Sequence, residues 1–231
     1  MALLPTFLRN LRYRVFYGLL LRRGYELATL GDRSVGVQWT ICPAHLNPQS
    51  IVYSAGVGND ISFERELVKR FGCNIVLIDP SPTGVHTMSL PENKIPQFRF
   101  FPVALTRKAG KIRMAPPSKP GVDSWSTKDD SDAAIEVEAT DIKSLMDSNG
   151  HASIDLLKLD IEGCEYEVIC DLLDRRIPVR QLCCEFDYGY APGSTRGQAI
   201  RAMLKLAWHG YGLIKQEGGN HTFVSKKASD A

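Results

Sequence analysis

The chain has 231 residues, 44% of them hydrophobic and 23% charged, enough to bury one sizeable core in an ordinary globular domain. A net charge of +2 says little about partners; no block of five like charges occurs, and nothing resembles a nucleic-acid-binding stripe. The six cysteines (42, 73, 164, 170, 183, 184) show neither CxxC spacing nor an even framework, so they read as reduced, buried thiols of a cytosolic protein.

From Met1 to Arg23 there are five arginines and no acid, interleaved with Leu, Phe, Tyr and Val. The apolar run VFYGLLL (15–21) is too short to span a bilayer and no small-residue cleavage site follows it. Residues 1–24 are therefore expected either to dock on the domain as a helix or to rest on anionic lipid at the inner face of a membrane as a basic amphipathic helix. The simplest division is an amino-terminal helical extension, 1–45, followed by one domain, 46–231.

Beyond residue 45, short apolar runs alternate with stretches of helical spacing. SIVYSA (50–55) predicts a strand and DISFERELVKRF (60–71) a helix. NIVLIDP (74–80), FRFFPVAL (98–105) and GKIRMAPP (110–117) predict three more strands, the first closed by Pro80 and Pro82. AIEVEAT (134–140) alternates as a strand and DIKSLMDS (141–148) follows as a helix. SIDLLKLD (153–160) and VRQLCCEFD (179–187) are buried strands around a helix over 164–176. A long helix over 194–210 then leads to two strands joined at Gly218-Gly219-Asn220. Such alternation predicts a doubly wound, mostly parallel α/β sheet, in which ligands bind beyond the carboxyl ends of the strands.

Those ends carry the functional signal. In YSAGVGND (53–60), Gly56 and Gly58 permit a tight turn and close approach of a ligand to the backbone. A dinucleotide fingerprint would place a third glycine where this chain has Ile61. Asn59 and Asp60 either adjoin a cofactor or cap the next helix. Asp79, 21 residues after Gly58, suits the two hydroxyls of a ribose, or caps a helix of its own. Asp160, Glu162 and Gly163 close the strand that holds Lys158, a cation in an apolar run that needs an acidic partner: Asp160, Glu185 or Asp187. Acids at a helix start are also favoured by the macrodipole, which accounts for Glu162 and Glu165 without a site. Two neighbouring strands that end in acids, at Asp160 and in CEFD (184–187), make a negative rim suited to a sulfonium cation.

The run DLLKLDIEGCEYEVI (155–169) closely resembles the DLLKiDvEGaE hallmark of the FkbM-type S-adenosylmethionine-dependent methyltransferases, which have the Rossmann-like class I methyltransferase fold. YSAGVGND, IDPSP, VALT, ATDIKSLM and EFD are similar to companion motifs of that family, over roughly residues 50–226. The chain departs from it at Ser54, where the family's first motif has a leading acid, and at Asp79-Pro80, where the family has Glu-Pro.

The resemblance implies a seven-stranded sheet with a carboxyl-terminal antiparallel hairpin, and S-adenosylmethionine as cofactor. It implies that Ser54, Ala55, Gly56, Gly58, Asn59 and Asp60 lie at the methionine end, Asp79 and Pro80 at the ribose, and Ala104 near the adenine. Thr140 and Asp141 contact the cofactor or cap a helix, and Asp160 and Glu162 face the reacting methyl. Family members commonly O-methylate hydroxyls of saccharides or natural products. Asp160, Glu162 and Glu185 are the candidate bases, with Lys158 beside them, since the five histidines share no motif. His221 in the last hairpin is the one histidine to watch, and Trp125 could stack on a sugar ring. No metal-ligand spacing occurs and no metal is predicted. A nicotinamide-dependent oxidoreductase and a non-catalytic binding module that retains the fold are the competing readings.

Overall fold

The protein was analysed as a computed structural model, which describes residues 17–34, 37–117, 125–126, 131–186 and 195–226. Residues 17–20 are helical, and β1 (Ala28–Leu30) and β2 (Trp39–Ile41) form a small antiparallel sheet. Then come β3 (Ile51–Ala55), α1 (Ser62–Phe71), β4 (Asn74–Ile78), α2 (Pro82–Ser89), β5 (Phe98–Phe101), β6 (Ala104–Leu105), β7 (Gly110–Met114) and β8 (Ile135–Thr140). The chain continues through α3 (Ile142–Asn149), β9 (Ile154–Leu159), α4 (Glu165–Asp174), β10 (Val179–Glu185), α5 (Arg196–Trp208), β11 (Tyr211–Glu217) and β12 (Asn220–Ser225).

The main sheet has seven strands in the order β11-β12-β10-β9-β3-β4-β5. Strands β5, β4, β3, β9 and β10 run parallel, and β12 enters antiparallel as half of the terminal hairpin. This is the expected doubly wound Rossmann-like architecture. The strand order reverses between β3 and β9, where the crevice of such a sheet lies. Helices cover both faces. Phe63 and Leu67 of α1 join Leu30, Trp39 and Ile41 over one face, while α3, α4 and α5 bury Leu145, Ile169 and Leu206 against the other. Residues 17–45, read from the sequence as helical, thus contribute helical residues 17–20, a 3-10 turn at Pro43–His45 and, between them, a two-stranded sheet whose apolar side chains enter the core.

The local chemistry explains most boundaries. Gly72 (φ 69°) and Gly150 (φ 69°) adopt the left-handed conformation that ends α1 and α3. Thr195 and Gln198 form a capping box at α5. Two expectations need correction. FRFFPVAL is not one strand: Pro102, lacking an N–H, ends β5, and β6 joins β7 and β8 in a separate three-stranded sheet. The Pro80–Pro82 stretch does not merely close a strand: Pro82 is the first residue of α2, with Ser81 as its cap through Gly84 N–H at 3.0 Å.

Candidate active site

One register row assembles the site. Ile78, Ala55, Leu159 and Cys184 are mutual neighbours across β4, β3, β9 and β10. The next residue on each strand is Asp79, Gly56, Asp160 and Glu185, so three acids and a glycine line one sheet edge at the switch point. Main-chain bonds extend the row, from Gly56 N–H to Ile78 O at 2.9 Å and from Asp160 N–H to Ala55 O at 3.0 Å. Gly56 has φ 90°, and a Cβ there would lie 1.9 Å from the Asp160 carbonyl oxygen. Only glycine lets β3 and β9 meet this closely.

One row below, Lys158 lies between Ser54 and Cys183 with 3% of its surface exposed. Its ammonium donates to the Gly56 carbonyl at 2.7 Å and sits 3.7 Å from both Glu64 Oε1 and Asp160 Oδ2. The Trp39 ring lies below it, with the centroid 5.4 Å away. Burial pushes the ammonium down, but Glu64, Asp160, Asp79 and Glu185 outweigh burial and hold its pKa above the ordinary lysine value. A charged, enclosed lysine bonded to the backbone is a positioning group for the glycine turn. Ser54 is fully buried and donates to Glu64 Oε1 at 2.5 Å. Glu64, 1% exposed, therefore supplies from α1 a carboxylate beside the position where the family's strand motif has one. Nothing in its helical spacing marked it beyond being an acid on an otherwise buried stripe.

Asp79 braces the turn from the other side. Its Oδ2 accepts from Val57 N–H at 2.9 Å and Gly58 N–H at 3.0 Å, and its Oδ1 from Ser81 N–H at 2.7 Å. Gly84 of α2 admits it, since a Cβ there would lie 2.4 Å from the Asp79 Cγ. Each carboxylate oxygen has two lone pairs, so acceptor capacity remains for a ribose hydroxyl.

A family model for the methyltransferase FkbM domain matches residues 40–211, most of the chain and every strand of this row. The chain belongs to the FkbM methyltransferase family. It is an S-adenosylmethionine-dependent methyltransferase. Among similar solved structures are an rRNA methylase from Streptococcus thermophilus (12% identity, 77% of this chain and 86% of that one, TM-score 0.42) and precorrin-6y C5,15-methyltransferase from Geobacter metallireducens (12%, 78% and 80%, 0.43). A Streptococcus mutans protein in complex with S-adenosylhomocysteine is another (9%, 77% and 88%, 0.44). No curated protein is matched by the sequence.

The remaining candidates of the FkbM site divide clearly. Ala55 is fully buried at the end of β3, Asn59 is exposed beyond the turn, and Pro80 is half-buried after β4. Asp60 accepts from the Ser62 N–H at 2.8 Å and hydroxyl at 2.5 Å, a helix-start role. Asp141 caps α3 through Ser144 and meets Arg175 at 3.1 Å. Ala104, 4% exposed, opens β6 and pairs with Ala139. Glu162, half-buried, has φ 50° in the turn after β9, and Glu185 ends β10 beside Gly219. Trp125 is half-buried beside Ser126, whose backbone pairs with Ala115. Asp187, one suggested partner for Lys158, lies outside the described residues.

Glu165 braces the turn after β9, a role that strand-end reasoning left unassigned. It is 4% exposed and folds back on its own turn, accepting from Ile161 N–H at 3.0 Å and from Gly163 N–H at 3.0 and 3.1 Å. Burial, with a contribution from Asp160, pushes its pKa up to about 7 against those bonds. This brace holds Asp160 and Glu162 in their strained turn, where the left-handed φ of Glu162 is otherwise unfavourable. His221 is fully buried: its Nδ1 donates to Gly219 O at 2.6 Å, leaving Nε2 to accept from Tyr17 hydroxyl at 2.9 Å. Among the described residues, no group of three His, Cys, Asp or Glu side chains could hold a metal ion.

Proposed function

We propose that the enzyme methylates a hydroxyl oxygen of a saccharide or natural-product small molecule, with Asp160 as the principal base and Glu162 and Glu185 beside it. The supporting observation is Asp160 itself. Its side chain is 28% exposed, yet it sits 3.7 Å from a Lys158 ammonium that is almost wholly enclosed. A carboxylate so anchored can face an acceptor while its position is set from below.

The residues fit S-adenosylmethionine. Gly56, Val57 and Gly58 would receive the methionine end, Asp79 the ribose and Ala104 the adenine side. Bound there, the cofactor supplies a methyl group on a sulfonium sulfur that leaves as a neutral thioether. Asp160 and Glu185, neighbours at the ends of β9 and β10, would surround that positive charge with negative potential. At about 4 Å and an effective dielectric of 20 such a pair is worth ~4 kcal/mol. The chain's further task is alignment of the acceptor oxygen, which can contribute several kcal/mol through proximity. Asp160, held 3.7 Å from the Lys158 ammonium, would then take the hydroxyl proton.

The division into an extension (1–45) and a catalytic domain (46–231) belongs to the same proposal, as does peripheral contact of residues 1–24 with a membrane. Among the described residues no helix is long and apolar enough to cross one.

Transfer of labelled methyl groups to a panel of sugars, alcohols and amines tests the reading. Asp160→Asn should lower the rate by roughly 10²–10⁴, with S-adenosylhomocysteine affinity within about tenfold of the parent. Methylation of amines alone, or an undiminished rate in the variant, would sink it.

A further inference from the structure

The surroundings of Lys158 include one neighbour that is not an acid or a carbonyl. Glu64, Asp160 and Gly56 O hold the ammonium by charge or hydrogen bond, whereas Trp39 meets it with an aromatic face, 5.4 Å from nitrogen to ring centroid. Such a face carries partial negative charge and attracts a cation, most strongly for tryptophan and where water is excluded. Both groups are buried here. Trp39 stands on β2, and no sequence pattern marked it.

The ring is fixed from two sides. The backbone flanking Trp39 is tied to β12, where Asn220 Nδ2 donates to Gln38 O at 3.1 Å and the Thr222 hydroxyl to Thr40 O at 2.5 Å. A little further on, Cys42 N–H donates to Gln181 Oε1 of β10 at 2.6 Å. The β1–β2 pair is bound to α1 as well, through Gly31 N–H to Glu66 Oε2 at 2.9 Å and Asp32 N–H to the Ser62 hydroxyl at 2.8 Å. Phe63 of α1 packs against the indole, with ring centroids 6.4 Å apart. Trp39 is thus a rigid wall of the Lys158 site, built by four different elements around it.

We propose that Trp39 is a positioning residue for S-adenosylmethionine binding: its face holds the Lys158 ammonium at the Gly56 carbonyl and so sets the shape of the turn from Gly56 to Gly58. The proposal rests on the reading of that turn as the cofactor seat. Trp39 touches no cofactor and acts through Lys158 alone. It makes β2, within the segment that precedes residue 46, a working part of the site.

The test titrates the full chain with S-adenosylhomocysteine in a calorimeter. A difluorotryptophan placed at position 39 keeps the shape of the ring and withdraws negative charge from its face, so affinity should fall about fivefold in a chain that still folds. Trp39→Leu should lose about tenfold or more, and Trp39→Phe, which keeps an aromatic face, should fall between Leu and the parent. The same fluorination at Trp208, 89% exposed on α5, should change nothing. Parental affinity in the chain fluorinated at Trp39 overturns the proposal, including where Trp39→Leu does not fold. Gly58→Ala separates that result from a misplaced seat. Weakened binding in Gly58→Ala beside parental binding in the fluorinated chain overturns the role of Trp39 alone, whereas parental binding in both removes the seat and the proposal with it.

Discussion

Lys158 and Gly56 are joined by a 2.7 Å bond from an ammonium to a backbone carbonyl, beneath the glycine turn proposed to seat the cofactor. The bond makes the geometry of that turn depend on a buried charge, and the charge depends on Glu64 and Asp160. Lys158→Met should therefore destabilise the fold by about 3 kcal/mol or more, since it leaves buried carboxylates without their cation. Lys158→Met combined with Glu64→Gln should recover part of that loss in urea unfolding. Strict additivity of the two substitutions would mean that they do not share one network.

Asp79 has a double role, and its removal should show in two readouts. Three main-chain N–H groups lose their acceptor in Asp79→Ala, at roughly 1–3 kcal/mol for a buried group left unsatisfied. The melting temperature should fall by several degrees, and affinity for S-adenosylhomocysteine should fall about tenfold or more. A lower melting temperature with unchanged affinity would leave Asp79 as a brace alone.

The two glycines of the turn should fail differently. In Gly56→Ala the Cβ meets a main-chain oxygen at 1.9 Å, which no side-chain motion relieves, so folding itself should suffer. Around Gly58, also at positive φ (56°), no protein atom lies within 4 Å of a Cβ. Gly58→Ala should cost about 1 kcal/mol for its left-handed backbone and weaken S-adenosylhomocysteine binding selectively. Unchanged affinity would show that the space beyond Gly58 is not cofactor space.

The row Asp79, Gly56, Asp160, Glu185 was legible because each residue ends an apolar strand run, and strand ends are where parallel sheets bind ligands. The residues that hold the row in place were not. Glu64 lies on an amphipathic helix where acids are ordinary, and only packing brings it to Ser54 and Lys158. Glu165 satisfies the macrodipole of α4 by position alone, so its fold-back onto Ile161 and Gly163 could not be told from a helix-start acid. Strands β1 and β2 have three residues each, too few for a period to declare itself. Pro82 signals both a stop and a start, and the choice rested on Ser81 as a cap.

The brace by Glu165 and the burial of His221 set opposite pH dependences. Glu165 has its folded pKa raised to about 7 from 4.5. Its stability contribution is therefore complete below pH 4.5 and is lost as pH rises through 7. His221 is depressed to about 4 from 6.5 by burial, despite its bond to Gly219. Its contribution is present above pH 6.5 and is lost as pH falls towards 4. Between those limits the two slopes oppose each other, so the parent protein should show a shallow profile in urea unfolding. Glu165→Gln removes the falling slope and should gain stability relative to the parent as pH rises from about 5 to 8. His221→Gln should instead flatten the acid side, although removal of the ring from a packed site lowers its stability throughout. Parallel curves for Glu165→Gln and the parent would show that Glu165 does not change its protonation in this range, and that the turn carrying Asp160 and Glu162 is held by a permanently ionised carboxylate.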